Sequence, residues 1–211
     1  MMGKTVKAAS SPRCPVDAVM GLRERKKLEA WRTIRATALR LISERGYDAV
    51  SVEDIAKEAG VSRTTFFSYF PSKEAVAFEL DPQELQQWRQ LLAADADDRP
   101  LWDALTDLFV DITKLMPEWL PVQKRLLQDC PWLTQSARGT CDSFAPDLKA
   151  WIVRRLPDGD DLRATLLLNT AMAAFITAVE AWDPDDSFDA LVDTVRDCLR
   201  WAGAGLAQPV S

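Results

Sequence analysis

Apolar residues recur every three or four positions through most of the chain, which is the spacing of amphipathic α-helices. The first run extends from about residue 23 to residue 45, and Gly46 then favours a helix end. Later runs begin at or next to Pro, Asp or Ser, which suit helix starts. They predict helices at about 82–94, 100–116, 117–129, 131–156, 160–182 and 187–206. Since no useful stretch alternates like a strand, we predict an all-α fold of about nine helices.

The stretch from Ser51 to Lys73 contains two short helical patterns joined by a tight turn at residues 59–61. Ser51 and Ser62 are good N-caps, and Asp54 stands at the capping-box position. Helices of two turns are not stable alone, so two of them fixed at both ends indicate a rigid helix-turn-helix. Its apolar inner face is predicted to contain Ile55, Val61, Phe66 and Phe70.

The charge of the chain is divided unevenly. Residues 1–80 carry 14 Lys and Arg against 10 Asp and Glu, a balance of +4, whereas residues 81–211 carry 12 against 22, a balance of −10. This asymmetry indicates an N-terminal part that meets a polyanion, although a basic disordered tail alone would produce the same balance. We interpret residues 1–22 as a disordered basic arm.

Composition argues against several classes of function. The chain has no histidine, and its four cysteines have no Cys-x-x-Cys spacing, so we predict no metal site, no catalytic residues and no cofactor. An enzyme remains a remote alternative that rests only on a probable pocket. No apolar run approaches the roughly 20 residues that span a membrane, and no export signal is recognisable, so we expect a cytoplasmic protein without a membrane partner.

The second helix of a helix-turn-helix lies in the major groove and reads base edges. Its outward side chains here are predicted to be Arg63, Thr64, Thr65 and Ser68. Tyr69 and Lys73 are placed to meet phosphates, and Ser51 and Ser62 can do the same with the amides of a helix start. The alternative is that both serines are only caps and that Phe66, Phe67 and Phe70 are only core.

The segment from Arg32 to Lys73 resembles the DNA-binding domain of the TetR family of transcriptional regulators. The run ALRLISERGYDAVSVEDIAKEAGVSRTTFFSYFPSKEAV carries the resemblance. It implies three DNA-binding helices followed by about six ligand-binding helices. It also implies a homodimeric repressor on double-stranded operator DNA that a small molecule releases. Phe67 departs from the family, which very often has tyrosine there, so a hydroxyl contact to phosphate is expected to be lost or replaced.

Carried over position by position, the resemblance implies a ranking of the DNA contacts. The main ones are Thr64, Thr65, Tyr69 and Lys73, and the next are Arg63 and Ser51. The sign change in charge and the Asp81-Pro82 break predict a DNA-binding domain at 23–80 and a ligand-binding and dimerisation domain at 81–211. The larger domain is loosely similar to a subgroup that responds to acyl-CoA-like ligands, through residues 125–127 and 131–133.

The middle helices enclose the ligand cavity in similar proteins. Residues predicted to line it here are Phe109, Met116, Trp119, Trp132, Phe144, Trp151, Asn169, Met172 and Phe175. Asn169 lies in a strongly apolar helix, and its amide is expected to bond either a neighbouring helix or a ligand. In similar proteins the last two helices form the dimer interface, which implies an inverted-repeat operator. The chain alone leaves open an activator or an effector-independent DNA-binding regulator.

Overall fold

A computed structural model describes residues 21–94, 99–117 and 120–205, without the side chains of residues 138 and 140–143. The predicted basic arm therefore lies outside the described residues, apart from its last two positions. These ranges hold ten α-helices, one more than expected, and a 3-10 turn at Pro131–Leu133. The helices are α1 Leu22–Arg45, α2 Val52–Glu58, α3 Arg63–Tyr69, α4 Lys73–Phe78, α5 Pro82–Ala94, α6 Leu101–Lys114, α7 Leu120–Asp129, α8 Thr134–Arg155, α9 Asp161–Ala181 and α10 Phe188–Ala204. The all-α prediction is confirmed.

The short helices α2, α3 and α4 are each fixed at their starts by a serine. Ser51 accepts a hydrogen bond from the Asp54 N–H and forms the predicted capping box. Ser62 and Ser72 cap α3 and α4 by accepting one backbone N–H each, without the reciprocal bond. Gly60, between α2 and α3, has a φ of 70°, a conformation that glycine adopts at little cost. Caps and turn together hold two helices that would otherwise be too short to persist.

The N-terminal core is built where α1, α2, α3 and α4 meet. Ile34 of α1 is fully buried, and so are Ile55 and Phe66, as predicted for the inner face of the helix-turn-helix, whereas Val61 is half-buried. Phe70 is also fully buried, and its ring lies 5.2 Å from that of Trp31. Truncating one such phenylalanine would cost about 3–5 kcal/mol, so this core fixes the position of α3.

The second core is formed by α5, α6, α8, α9 and α10. Helix α10 packs along both α9 and α6, where the Trp102 indole N–H donates to the Leu199 carbonyl over 2.8 Å. Gly203 permits this approach, because a Cβ there would meet the Trp102 ring at 2.2 Å. The predicted helix at 131–156 is corrected at its start. Pro131 opens a 3-10 turn, and α8 begins at Thr134.

Helix α7 joins the two cores. Leu126 of α7, Cys130 just after it and Leu133 of the 3-10 turn are buried in the N-terminal core. Leu120, at the start of α7, belongs to the C-terminal core. A helix that belongs to both cores transmits displacement between them, because close-packed interiors do not deform freely.

Helix α9 is long and apolar enough to meet the length and composition criteria for a membrane span, which is weak evidence by itself. Only 22% of its most apolar window is buried. The exposed positions recur at helical spacing along one side of α9. They include Leu162, Leu166, Asn169, Ala173, Thr177 and Glu180.

Candidate nucleic-acid interface and effector cavity

Helix α3 presents a polar outer face above a buried aromatic inner face. Arg63, Thr64 and Ser68 are exposed, and Thr65 is half-buried. Ser68 directs its hydroxyl back to the Thr65 carbonyl at 2.7 Å, so its side chain is already engaged within the helix. The first turn of α3 therefore offers Arg63 and Thr64 as the most accessible groups for base edges.

Phe67 is not part of the core, contrary to the core interpretation of all three phenylalanines. Its ring is 43% exposed, whereas Phe66 and Phe70 are fully buried. The Arg63 guanidinium lies 5.5 Å above the Phe67 ring, and its Nη1 contacts Glu53 Oε1 at 3.0 Å. The ion pair is exposed on both sides and is worth little, so Arg63 can exchange its carboxylate for a nucleic-acid partner at low cost.

The two predicted serine contacts are both occupied as caps. Ser62 Oγ accepts from the Thr65 N–H at 3.0 Å and lies 2.8 Å from Thr65 Oγ1. Ser51 Oγ donates to Asp54 Oδ2 and accepts from the Asp54 N–H. The bond from the Ser51 hydroxyl, followed by one from the Ser51 backbone N–H to Asp54 Oδ2, holds the pKa of the Asp54 carboxyl below its ordinary value. A phosphate contact from either serine would compete with a cap.

Lys73 has a structural role that the sequence did not reveal. Its Nζ donates to the Tyr47 carbonyl at 2.8 Å and to the Val50 carbonyl at 2.9 Å, and it lies 3.7 Å above the Tyr47 ring. Two of its three donors thus fix the loop between α1 and α2, and one remains for a phosphate. Tyr69, the other predicted phosphate contact, is half-buried against the N-terminal core.

Tyr47 links the loop to α4 and to the 3-10 turn. Its hydroxyl donates to Glu74 Oε1 at 2.5 Å. Burial is the main cause that raises the pKa of Tyr47, and this hydrogen bond is the second. The ring of Trp132 meets the Tyr47 ring edge-on at 5.2 Å. Trp132 is 58% exposed, so its predicted place in the ligand cavity is wrong.

An apolar cavity of about 130 Å³ opens between helices of the C-terminal domain. Five of the predicted residues line it, namely Phe109, Met116, Phe144, Met172 and Phe175. Trp151 is buried in the same core but does not line the cavity, and Trp119 lies outside the described residues. Asn169 is exposed on α9 and does not line the cavity, which corrects its predicted place there.

Ten of the fifteen lining residues were not predicted, and Trp88 and Gln123 are among them. Trp88 of α5 lies against Phe144, with ring centroids 4.2 Å apart. Gln123 of α7 is buried, and its Nε2 donates to the Ala77 carbonyl of α4 at 2.9 Å. Periodicity would have marked Trp88 as core, whereas nothing in the sequence distinguishes Gln123 from the other polar residues of α7.

The exposed, capped α3 above a buried core is the arrangement of a helix-turn-helix that reads DNA. Residues 34–80 match the family model described as bacterial regulatory proteins, tetR family. Residues 34–80 therefore form a DNA-binding domain of the TetR family. The proteins that share this domain are transcriptional regulators, which argues against the enzyme alternative.

Relatives of the chain match mainly in the same region. It is 56% identical over 50 residues to the HTH-type transcriptional regulator EthR of Mycolicibacterium smegmatis, which covers 23% of each chain. It is 39% identical over 84 residues to EthR of Mycobacterium tuberculosis, covering 37% of this chain and 39% of that one. Because the chain spans less than half the length of these relatives, their names do not define what its larger domain senses.

Solved structures extend the similarity of the chain to the whole fold. FadR of Thermus thermophilus in complex with lauroyl-CoA, a TetR-family transcriptional repressor, is 23% identical with a TM-score of 0.53, covering 86% of this chain and 97% of that one. FadR of Bacillus halodurans, a fatty acid degradation regulator, is 18% identical with a TM-score of 0.58, covering 85% and 97%. At this identity the similarity extends to the fold alone.

Proposed function

We propose that the protein is a repressor that binds an inverted-repeat operator as a homodimer and is released by an apolar or amphipathic small molecule. It acts in the cytoplasm, where its operator lies. The observation that carries the proposal is the position of Gln123, which lines the cavity and bonds the last turn of α4, the helix next to the DNA-reading pair. One side chain thus contacts both functional parts.

Binding to DNA is supported by the exposed cations of α1 and by the exposed polar side chains of α3. Helix α1 begins with four exposed cations, Arg23, Arg25, Lys26 and Lys27. Phosphate contacts of this kind supply affinity and position, whereas base contacts supply specificity. In the proposed complex Arg63 and Thr64 read bases, and Thr65, Tyr69 and Lys73 hold the flanking backbone.

Dimerisation is supported by the exposed apolar stripe of α9. Leu162 and Leu166 are 79% and 66% exposed, and Trp201 of α10 is 49% exposed. Apolar side chains that recur along one face of a helix require a cover, and a second copy supplies it symmetrically. A symmetric pair presents two α3 helices to two half-sites, which is why the operator is proposed to be an inverted repeat.

Release by a ligand follows from the size of the cavity. Sites for drug-sized ligands enclose roughly 300–1,000 Å³. The present cavity, at about 130 Å³, must expand to accept such a molecule. In the proposed mechanism, expansion displaces α7, whose Leu126 belongs to the N-terminal core. A ligand that binds the expanded state better than the DNA-binding state lowers DNA affinity by that difference.

The testing experiment is a gel shift with the full chain and the DNA that flanks its gene. We expect a saturable complex on a fragment containing an inverted repeat, and its loss when one half-site is scrambled. A library of apolar metabolites is then added to find one that dissociates the complex. Equal affinity for intact and scrambled repeats would refute operator recognition. In a reporter strain, deletion of the gene should raise expression from the bound promoter, whereas an activator would lower it.

A further inference from the structure

The indole N–H of Trp88 is a buried donor without a hydrogen-bond acceptor. Trp88 is only 4% exposed, and within the described residues Nε1 has no hydrogen-bond partner. Most buried tryptophan N–H groups have an acceptor, because a buried donor that loses its water partner destabilises the protein. In this regulator Trp88 therefore departs from the usual pattern, and the departure calls for a physical reason.

The reason lies in where the side chain stands. Trp88 lines the apolar cavity and packs against Phe144, which lines the same cavity. By contrast, the indole N–H groups of Trp102 and Trp182 each donate to a backbone carbonyl. A ligand can supply the acceptor that such a donor lacks. The buried donor destabilises the protein while the site is unoccupied, and its new hydrogen bond then favours ligand binding.

The other polar groups around the cavity restrict the ligand further. Among the described lining residues, Glu180 alone is ionisable, and no lysine or arginine is present. A carboxylate buried here would lack a cation and would approach the negative charge of Glu180, both of which oppose binding. One amide N–H of Gln123 is already engaged by the Ala77 carbonyl, and the hydroxyl of Thr134, another lining residue, donates to the Pro131 carbonyl. Trp88 is thus the described donor best placed to select a ligand.

The geometry points to a neutral, mainly apolar effector whose uncharged oxygen (ketone, ester, amide or ether) accepts a hydrogen bond from Trp88 Nε1. This inference rests on the proposed function in that the cavity is the effector site. An engineered cavity of about 150 Å³ accepts benzene, so the present volume of about 130 Å³ accommodates only a small ring before its walls separate. Because the indole N–H is fully covered, the acceptor reaches it as the ligand separates the walls.

The test uses three small probes of nearly the same shape. Acetophenone carries a ketone oxygen, α-methylstyrene replaces that oxygen with a methylene group, and benzoate replaces the acetyl group with a carboxylate. Their dissociation constants are measured by NMR titration of the full chain without DNA. The variants are Trp88→Phe, which keeps an aromatic ring but removes the N–H, and Trp151→Phe, a control in the same core that does not line the cavity.

We expect Trp88→Phe to weaken acetophenone binding about three- to tenfold relative to its effect on α-methylstyrene, the range of one neutral hydrogen bond. Trp151→Phe should affect both probes equally, and benzoate should bind weakest to every form. Equal losses for both neutral probes in Trp88→Phe, or tighter binding of benzoate to the wild type, would overturn the inference. So would failure of the wild type to bind either neutral probe at millimolar concentration.

A second measurement needs no variant to fold. In the wild type labelled with ¹⁵N-tryptophan, the Trp88 indole proton should shift downfield with acetophenone and not with α-methylstyrene. An unchanged Trp88 signal in the presence of bound acetophenone would exclude the hydrogen bond. Neither measurement uses DNA. The hydrogen bond to Trp88 can therefore be refuted while the gel shift confirms operator binding, and it can be confirmed while the gel shift fails.

Discussion

Gln123 of α7 donates its amide N–H to the Ala77 carbonyl of α4 over 2.9 Å, across 46 positions of sequence. Ala77 stands in the last turn of α4, where carbonyl groups have no partner within the helix. The bond therefore completes the end of α4 with a side chain that also lines the cavity. It is a direct physical connection between the cavity and the DNA-binding domain.

We predict that Gln123→Met destabilises the protein and weakens its response to the effector. The methionine keeps the length of the side chain but leaves the Ala77 carbonyl without its donor, which costs about 1–3 kcal/mol. Urea unfolding measures this loss, and DNA affinity with and without the effector from the gel-shift screen measures the coupling. Gln90→Met, on the exposed side of α5, should stay within about 0.5 kcal/mol. A stable variant with full effector response would exclude the connection.

Lys73→Ala is predicted to lower both stability and DNA affinity. The Tyr47 and Val50 carbonyls lose their donor, at a cost of about 1–3 kcal/mol. Its third N–H is proposed to contact phosphate, so affinity should fall similarly on all sequences and the salt slope should decrease by about one. Lys57→Ala, an exposed residue of α2, controls for stability. Lost stability with an unchanged salt slope would assign Lys73 to the fold alone.

Thr64→Ala is predicted to relax base preference at one position of each half-site while leaving stability unchanged. Thr64 is exposed in the first turn of α3, where its hydroxyl or methyl group faces the groove. The loss of discrimination at that base pair should be about 1–3 kcal/mol. Binding to a set of single-base operator variants measures it. A uniform loss across all variants would instead indicate a phosphate contact.

The caps and the inner face of the helix-turn-helix were predictable because they depend on neighbouring residues. Ser51 and Asp54 form one capping box within a single turn. Lys73 was different, since its partners lie 26 and 23 positions away and only the fold brings them together. Asn169 was misplaced because α9 is apolar on its exposed side as well as its buried side. Hydrophobicity alone does not tell which side faces the core.

Leu166→Asp is predicted to convert the protein from a dimer to a monomer at micromolar concentration. Leu166 is 66% exposed at the middle of the apolar stripe of α9, where a charge would be buried by a second copy. Analytical ultracentrifugation measures the change, and operator affinity should fall with it. Leu22→Asp is a matched control, because Leu22 is 62% exposed on α1 and lies away from the stripe. A wild type that sediments as a monomer would refute the dimer.

Arg35 of α1 is a buried cation where α4 meets α5. Burial lowers the pKa of its guanidinium, and the charges of Glu84, Asp81 and Glu79 oppose that shift. Burial likewise raises the pKa of Glu79 and Glu84, while Arg35 lowers both. The guanidinium therefore favours the charged form of two glutamates where α4 meets α5.

Removing this cation by Arg35→Met should destabilise the protein by about 3–5 kcal/mol near pH 8 and by less near pH 5. Without Arg35, the pKa of Glu79 and Glu84 rises further above the ordinary value of 4.5. A carboxyl whose pKa is raised by folding binds its proton more tightly in the native state. The stability that this carboxyl group contributes to the folded protein is present at low pH. It is lost as the pH rises through the pKa of the group in the folded state.

Urea unfolding of Arg35→Met at about pH 5 and about pH 8 measures this dependence. Arg35→Lys keeps a positive charge and should show a smaller difference between the two pH values. If Arg35→Met were equally destabilised at both, packing of the long side chain on Trp31, whose ring lies 5.1 Å from the guanidinium carbon, would explain the loss instead. A pH-dependent loss would instead identify the junction of α4 and α5 as an electrostatic cluster held together by Arg35.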